Sequence, residues 1–221
     1  LKAHFPADRA TQVFCTAALM YADGFARADK GVAKFLLAKL YLNAKVYAGT
    51  DRYSDCATVL SSLMNDGYSL HTNPNGALFN AYQDLFLADN SKCTDEIIFA
   101  IEQDGVNTTS YGATNYLIFA STGGSMDPDE MGISSGWGGL RMTPEFYGKF
   151  SAEDARALFY TDTQVADIDD IGEFSNGMAF RKFRNRTSDG GYGKEVGFVD
   201  TDFPMMRYAD VLLMAAECQV R

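Results

Sequence analysis

Apolar residues recur at helical spacing along the first third of the chain and predict three helices there. The first covers residues 8–22, the second residues 30–47 and the third residues 53–64. The second helix has apolar residues on most of its sides, which is typical of a helix that packs on most sides. Ala48-Gly49-Thr50 breaks the second helix shortly before the third begins, and Asp66-Gly67 is a typical end for the third helix. Two consecutive helices with so short a connection are expected to form a hairpin.

Small residues in this hairpin allow the two helix backbones to approach closely. They are Ala33 and Ala38 on the second helix and Ala57 on the third, and they alternate with bulky side chains. Such a pair resembles a tetratricopeptide unit, and a single unit cannot bury its own apolar face without neighbours. Further helices are predicted around residues 79–86 and over residues 203–218.

The centre of the chain differs in composition, since fifteen of its 20 glycines lie between Gly105 and Gly197. The elements predicted within it are short: strands at residues 96–101 and 115–119, and helices that begin at Thr143-Pro144 and at Ser151. The rest is predicted to be loop, and so long a loop region in a compact protein is normally functional or disordered. It contains the single tryptophan, which favours a functional region.

The predicted fold is therefore mainly α. It combines tetratricopeptide-like helical pairs, stacked as an α/α superhelix, with an irregular, glycine-rich loop region that contains short strands. The helical scaffold is assigned to residues 8–88 and 202–221, and the loop-rich region to residues 89–201. Both parts are expected to belong to one domain.

Charge and hydropathy exclude two classes of interaction. The chain has 29 acidic and 19 basic residues and a formal charge of −10, whereas nucleic-acid binders need a basic surface that displaces counterions. No apolar run approaches the roughly 20 residues that span a bilayer. Any membrane attachment is therefore expected to lie outside this sequence.

The residues make no positive case for catalysis or for a metal site. Residues 132–136 match the GxSxG pattern of a hydrolase nucleophile elbow, but turn-forming residues flank them and no histidine follows Ser134. A calcium-loop pattern that begins at Asp167 fails at Ile171 and Met178, which replace oxygen ligands. The four cysteines lack zinc-site spacing and are predicted to be buried free thiols. We expect a binding protein with no cofactor and no metal.

Candidate recognition residues lie in the glycine-rich centre. The ring of Trp137 stands between glycines, which let a ligand or another chain approach the backbone. Such a ring stacks on the apolar face of a sugar, and Arg141 offers a planar hydrogen-bond fork to hydroxyls or carboxylates. Polar and aromatic candidates upstream are Tyr111, Asn115 and Tyr116. Ligand binding and core packing both stay open for Trp137 on the residues alone.

Four segments of the chain resemble the SusD/RagB family of nutrient-binding outer-membrane lipoproteins. They are AKFLLAKLYLNA at 33–44, DEIIFAI at 95–101, GWGGLRMTPEF at 136–146 and DFPMMRYADVLLMAAE at 202–217. Their order and spacing match the family from about residue 8 to the end of the chain. The last segment is the family's most specific signature.

The resemblance implies a tetratricopeptide-like scaffold with an irregular binding region, and a protein that is not an enzyme. It further implies a lipid-anchored protein on the outer leaflet of the bacterial outer membrane, at the cell surface. Such a protein captures oligosaccharides and delivers them to a SusC-type TonB-dependent transporter. In glycan-binding members aromatic side chains of the loop region form the binding platform, and the segment around Trp137 corresponds to one such position.

Two alternatives remain beside glycan binding. The RagB branch of the family binds peptides, and an acidic chain of that kind would favour basic peptides. A helical-repeat adaptor with no small ligand is the third possibility, in which Trp137 belongs to the core or to a protein interface. Because the family is considerably longer, the chain is expected to be a fragment whose lipid anchor and remaining site residues lie outside it.

Overall fold

The computed structural model describes residues 24–221, and its regular structure is mainly helical with a few short strands. The helices are α1 (Lys30–Leu42), α2 (Ala44–Ala48), α3 (Tyr53–Met64), α4 (Ala81–Asp84), α5 (Ala113–Ser121), α6 (Pro144–Tyr147) and α7 (Tyr208–Val220). The strands are β1 (Ile97–Ile101), β2 (Phe159–Tyr160), β3 (Ala179–Phe180) and β4 (Phe203–Arg207). Short 3₁₀ turns occur at Asn90–Lys92 and Asp129–Met131. The helix predicted over residues 8–22 lies outside the described residues.

The described chain forms two compact units, each built from separate stretches of sequence. The helical unit comprises residues 24–70, Cys93–Ile101 and Pro204–Arg221, and the glycine-rich unit comprises His71–Lys92 and Glu102–Phe203. Residues 71–88, which the sequence pattern assigns to the helical scaffold, therefore group with the glycine-rich unit. The strand at Ile97–Ile101 groups with the helices.

Apolar side chains of α1, α3 and α7 hold the helical unit together. The buried ones are Val32, Phe35, Ala38, Cys56, Leu60, Leu63, Val211 and Met214. Helix α1 begins at Asp29, whose carboxylate accepts a hydrogen bond from the Val32 N–H at 2.9 Å. The predicted packing of the second helix against the third is confirmed by α1 and α3, and α1 ends at Asn43 before the short helix α2.

The close approach of α1 and α3 depends on Ala38, which is completely buried. The thiol of Cys56 on α3 donates to the Ala38 carbonyl at 3.2 Å. The prediction for Ala57 is wrong, because Ala57 is exposed. The buried face of α3 passes through Cys56, Leu60 and Leu63 instead.

Three cysteines lie within the described residues, and all three are free. Cys56 and Cys93 are buried, as predicted, whereas Cys218 is half-buried. Burial raises the pKa of the Cys56 thiol to about 12, and the neighbouring Cys218 thiol contributes to the rise. Cys56 is therefore protonated at neutral pH and has the low reactivity of a structural thiol.

The strand predicted at residues 96–101 is confirmed as β1, which pairs with β4. The helix predicted from residue 203 is wrong at its start, because β4 occupies Phe203–Arg207 and α7 begins only at Tyr208. A residue before proline is disfavoured in the helical region, so Pro204 keeps Phe203 extended. The Tyr208 N–H then donates to the Glu96 carbonyl at 2.9 Å.

Two local predictions in the glycine-rich unit are also wrong. Residues 115–119 lie in helix α5 and not in a strand, because a helical face that includes Thr114, Ile118 and Phe119 is buried. The residues after Ser151 form turns and not a helix, and Asp154 there binds the Arg156 guanidinium at 2.6 Å. The helix predicted at Thr143-Pro144 is confirmed as the short α6.

Buried amide side chains organise the loops of the glycine-rich unit. The Nδ2 of Asn185 donates to the carbonyls of Gly132 and Glu195 at 3.0 and 2.8 Å, and its Oδ1 accepts from the Asp200 N–H at 2.9 Å. Asn90 is equally buried and its Nδ2 donates to the carbonyls of Leu85 and Asp202, both at 3.0 Å. These bonds satisfy loop backbone groups that no helix or sheet satisfies.

Candidate functional site

Aromatic side chains from three separate segments gather around Trp137. We call this set the aromatic cluster: Tyr111, Tyr116, Phe119, Trp137 and Phe198. The ring centroid of Trp137 lies 5.0 Å from Phe119, 6.1 Å from Tyr111 and 6.3 Å from Tyr116, and Tyr111 lies 5.4 Å from Phe198. The separations and tilted planes are those of favourable aromatic contacts.

The cluster has a buried base and an exposed surface. Phe119 is almost fully buried, whereas Trp137 is 44 % exposed, Tyr116 46 % and Tyr111 71 %. Three large, partly exposed rings thus lie next to one another, with Trp137 in contact with both tyrosines. The position of Trp137 combines the two possibilities that the sequence left open, because its ring contacts a core residue and also stays accessible.

The backbone around Trp137 is held by the end of helix α5. The N–H groups of Trp137 and Gly138 donate to the carbonyls of Phe119 and Thr122 at 2.8 and 2.9 Å, and those of Gly139 and Leu140 both donate to the Ala120 carbonyl at 2.7 Å. The last carbonyls of a helix have no partner within the helix, so this loop satisfies them. Trp137 is consequently fixed at its backbone.

Glycine is required at two positions beside the tryptophan. A Cβ atom on Gly136 would lie 2.1 Å from the carbonyl oxygen of Thr122, which is too close for any side chain. Gly138 has a φ of +63°, in the left-handed region that L-residues adopt at a cost. The glycines therefore allow the loop to reach the end of α5.

A second backbone feature positions the tyrosines. Tyr116 lies on α5, and Tyr111 precedes that helix by two residues. Ala113, the first residue of α5, has a φ of +53°, which costs a non-glycine residue about 1–2 kcal/mol. The turn at this residue brings Tyr111 back over Trp137 and Phe198.

Asn115 is placed differently from the other candidates, because it is 1 % exposed and offers no surface to a ligand. Its Oδ1 accepts from the Val199 N–H at 3.2 Å, whereas its Nδ2 has no acceptor among the described residues. Since Val199 follows Phe198, Asn115 supports the cluster from beneath. The sequence predicted the polarity of this position but not its depth.

Arg141 is half-buried, and its guanidinium binds the loop that contains Ile171 and Phe174. Its Nη2 donates to the Ile171 carbonyl at 2.8 Å, and its guanidinium lies 5.5 Å from the centre of the Phe174 ring. Phe174 in turn lies close to Gly123 and Gly138, near enough to contact a Cβ atom built on either. Arg141 thus tethers the loop that contacts the glycine segment.

Two members of the cluster, Phe119 and Phe198, are not evident from the sequence. Phe119 falls in a segment whose pattern predicts a strand, and no pattern singles out Phe198. The structure also contains an aromatic-lined pocket of about 360 Å³, separate from the cluster, that the sequence pattern does not predict. Its lining includes Phe146, Phe150, Phe159, Phe180 and Phe183. The run of phenylalanines near residue 150 is the available signal for it.

The described residues hold no group of three histidine, cysteine or acidic residues that could bind a metal ion. In the same part of the chain, no helix is long and apolar enough to span a bilayer. The acidic loop at residues 167–173 is ordered by Asn176, whose Oδ1 accepts from the N–H groups of Asp169 and Asp170 at 3.1 and 3.0 Å.

Comparison with known sequences identifies the relatives of the chain. Residues 159–221 match the SusD family. The starch-binding protein SusD of Bacteroides thetaiotaomicron is 30 % identical over an alignment of 247 residues, which covers 89 % of this chain and 43 % of that protein. The chain therefore spans less than half the length of this relative. These matches confirm the resemblance to the SusD/RagB family.

Solved structures show the same fold at low sequence identity. The surface glycan-binding protein A of B. thetaiotaomicron in complex with laminarihexaose has a TM-score of 0.62 and 16 % identity, over 97 % of this chain and 50 % of that one. The surface glycan-binding protein A of Bacteroides uniformis has a TM-score of 0.59 and 19 % identity, over 97 % and 44 %. These relatives are binding proteins, in agreement with the expectation that the chain is not an enzyme.

Proposed function

Because the chain is SusD-like, we propose that it forms part of a cell-surface protein that binds glycans without catalysis, and that the aromatic cluster is its platform. The observation that carries this proposal is that the exposed rings of Tyr111 and Tyr116 both lie against the exposed ring of Trp137. The names of the relatives, a starch-binding protein and surface glycan-binding proteins, support the ligand class.

The chemistry of the cluster suits an uncharged carbohydrate. A sugar ring has an apolar C–H face that stacks on an aromatic ring, and its hydroxyls remain available to water and to the phenol groups of Tyr111 and Tyr116. The rings of the cluster contribute no charge. Binding is therefore expected to be modest in affinity and almost independent of salt.

Preorganisation is the contribution of the surrounding fold. The Trp137 backbone is bonded to α5, and the ring rests on buried Phe119, so little freedom is lost when a ligand stacks on it. Arg141 and Asn115 support the neighbouring loops, and in this proposal they act as positioning residues. Of the residues 89–201 assigned to the ligand-binding region of one SusD-like domain, those of the glycine-rich unit would thus form the binding region, and the strand at Ile97–Ile101 would not.

The proposal extends to the assembly in which such a domain works. In this proposal the helices α1, α3 and α7 belong to a tetratricopeptide-like α/α superhelix, and a lipid anchor outside this chain attaches the protein to the outer leaflet of the bacterial outer membrane. The bound oligosaccharide is then delivered to a SusC-like TonB-dependent transporter. Capture of peptides, as in the RagB branch, is the competing function.

Calorimetric titration with maltohexaose, laminarihexaose and a wider glycan panel tests the platform. We expect Trp137→Ala to abolish binding of the glycan that the wild type binds, because the central ring is lost. Tyr47→Ala is the matched control, since Tyr47 is 72 % exposed on α2 and lies outside the cluster. Circular dichroism shows whether both variants are folded.

Two outcomes contradict the proposal. If Trp137→Ala binds the glycan as well as the wild type does, the cluster is not the platform. If no glycan binds and a basic peptide does, with an affinity that falls steeply with salt, the protein captures peptides.

A further inference from the structure

Three arginines of the glycine-rich unit lie close together in the sequence and outside the aromatic cluster. We call them the arginine site: Arg181, Arg184 and Arg186. In that order, their guanidinium groups lie 5.7 Å from the ring centre of Tyr160, 5.6 Å from that of Phe79 and 4.2 Å from that of Tyr192. Such packing occupies a face of the guanidinium and leaves the N–H donors at its edge for other partners.

Hydrogen bonds of the backbone fix the position of this segment. The Arg184 N–H donates to the Phe86 carbonyl at 3.0 Å. The Arg186 carbonyl accepts from the Ala88 N–H at 2.8 Å. Between these two arginines lies Asn185, the fully buried residue that joins three loops. The arginines are therefore presented by an ordered backbone.

The outer two arginines have carboxylate partners, but the pairs are weak. Arg181 Nη1 lies 3.3 Å from Glu130, and Arg186 Nη1 lies 3.5 Å from Asp129. The side chains of both acidic residues are more than half exposed, so each pair contributes little energy. The Nε atoms of both arginines are buried and have no acceptor among the described residues. The two pairs thus leave part of the hydrogen-bonding capacity of these guanidinium groups unused.

Arg184, between them, is the residue that points to a ligand. It is half-buried, and no carboxylate of the described residues lies within ion-pair distance of it. Its Nε donates to the Arg181 carbonyl at 3.3 Å, whereas its Nη1 and Nη2 have no acceptor in the described part of the chain and are not buried. The edge of the guanidinium that forms paired hydrogen bonds is therefore available.

An arginine in this position is unfavourable without an anion. Burial and the nearby guanidinium groups of Arg181 and Arg186 lower the pKa of Arg184 to about 10, and Glu130 opposes the fall. Arg184 is still charged at neutral pH, so its charge loses hydration and gains no direct counter-ion. A bound anion would supply both the opposite charge and the missing acceptors.

The donors and their neighbours select the kind of anion. A carboxylate or sulfate group accepts two parallel N–H bonds from one guanidinium, which is the geometry that the edge of Arg184 offers. Asp129 and Glu130 beside the site oppose a densely charged ligand, so a single anionic group on a neutral carrier fits best. The ring of Tyr192, 47 % exposed, offers the carrier a stacking surface of the kind that suits a sugar.

We propose that the arginine site binds the carboxylate or sulfate group of an acidic sugar, with Arg184 forming the paired hydrogen bonds. The inference rests on the proposed function only in taking a sugar as the carrier of the anion. The arginine site shares no residue with the aromatic cluster, and it adds recognition by charge to a protein whose aromatic platform recognises none.

Titration with trigalacturonate, beside its fully methyl-esterified form, tests the site because esterification removes the charge and keeps the sugar. We expect the acid to bind at least about tenfold more tightly, since the ester lacks the charged hydrogen bonds. N-acetylglucosamine 6-sulfate beside N-acetylglucosamine is the corresponding pair for a sulfate group. The pair with the larger difference identifies the source of the anion, and binding of that acid should weaken as salt is added.

Substitutions of Arg184 test its role. Arg184→Gln removes the charge and is expected to weaken binding of the preferred acid about tenfold. Arg184→Lys keeps the charge but loses the planar fork, so it is expected to weaken binding by a smaller factor. Arg27→Gln is the matched control, because Arg27 is exposed in the helical unit and its loss should not change the affinity. Circular dichroism shows whether the variants are folded.

Glu130→Gln carries the opposite expectation, which a folding defect cannot produce. It removes a carboxylate that competes for Arg181 and repels an incoming anion. We expect binding of the acidic sugar to become about two- to fivefold tighter.

Four results overturn the proposal. They are equal binding of the charged and neutral members of both pairs, undiminished binding by folded Arg184→Gln, weaker binding by Glu130→Gln, and tighter binding of a phosphoserine peptide than of either acidic sugar. A neutral glycan has no anion to offer, so its titration with Trp137→Ala reports on the aromatic cluster. Failure of the proposed function is thereby distinguished from failure of the arginine site.

Discussion

The two units of the protein are stabilised by different means. The core of the helical unit consists of apolar side chains from α1, α3 and α7. By contrast, all the buried polar residues of the described chain except Glu96 belong to the glycine-rich unit. Long loops without regular structure leave backbone groups that need partners, and buried Asn, Thr, Ser and Asp side chains provide them.

This difference explains where the candidate sites lie. Helices that pack by apolar side chains satisfy their own backbone and present few directed groups. The glycine-rich unit instead holds its loops by hydrogen bonds, which allows Trp137 to be fixed at the end of α5 and Asp202 to be held beside a cavity. The aromatic cluster follows from that construction.

The sharpest test of the comparison is removal of a buried amide. Asn185→Leu keeps most of the side-chain volume but leaves three backbone groups, on Gly132, Glu195 and Asp200, without a partner. We expect a loss of about 3–4 kcal/mol in the free energy of unfolding, measured with urea. Asn65→Leu is the control: Asn65 is exposed and bonds only its own helix, so a change within about 0.5 kcal/mol is expected.

The close contact between Gly136 and the Thr122 carbonyl tests whether the attachment of the Trp137 loop to α5 is needed for glycan binding. Gly136→Ala places a methyl group against the Thr122 carbonyl, so the loop must leave the end of α5. We expect a loss of about 1–3 kcal/mol in stability and a parallel loss of glycan binding. Gly197→Ala has open space around its Cβ and no left-handed φ, and it should change neither. Equal effects of the two substitutions would show that the contact at Gly136 is unimportant.

The smallest expected effect concerns pH and Asp202. Its pKa is about 6 in the folded protein, against an ordinary value of 3.8, so the folded state binds more protons than the unfolded chain between these values. The stability contribution of this group is therefore highest below about pH 4 and is lost as the pH rises through about 6. Asp202→Asn should remove this decline and unfold at higher urea concentration than the wild type at neutral pH. A parallel pH dependence of the two proteins would exclude this role.

Elements with a strong local pattern could be predicted from the sequence. Helices α1 and α3 and strand β1 begin within one residue of their predicted starts, although α1 stops at Asn43. The errors occur where one pattern fits two structures. A five-residue apolar run such as 115–119 suits a strand or a buried helix, and the partner of residues 203–207 is a strand far away in the sequence.

The candidate site was predictable by residue type and not by arrangement. Trp137, Tyr111 and Tyr116 are predicted from their polarity and glycine context, and their rings do lie together. Asn115 and Arg141 are candidates on the same grounds, yet one is buried and the other binds the Ile171 carbonyl. Exposure depends on which neighbours cover a side chain, and no local pattern records that.

The sequence by itself determined the helical pairs, the glycine-rich centre, the acidic charge and the family resemblance, because each depends on residue type and near-neighbour spacing. Only the tertiary structure decided that Trp137 rests on Phe119, that Asn185 joins three loops, and that Glu102 and Asp202 share one cavity. The last of these joins residues about a hundred positions apart. Such contacts form because distant loops satisfy one another's buried hydrogen-bonding groups, which spacing along the chain does not encode.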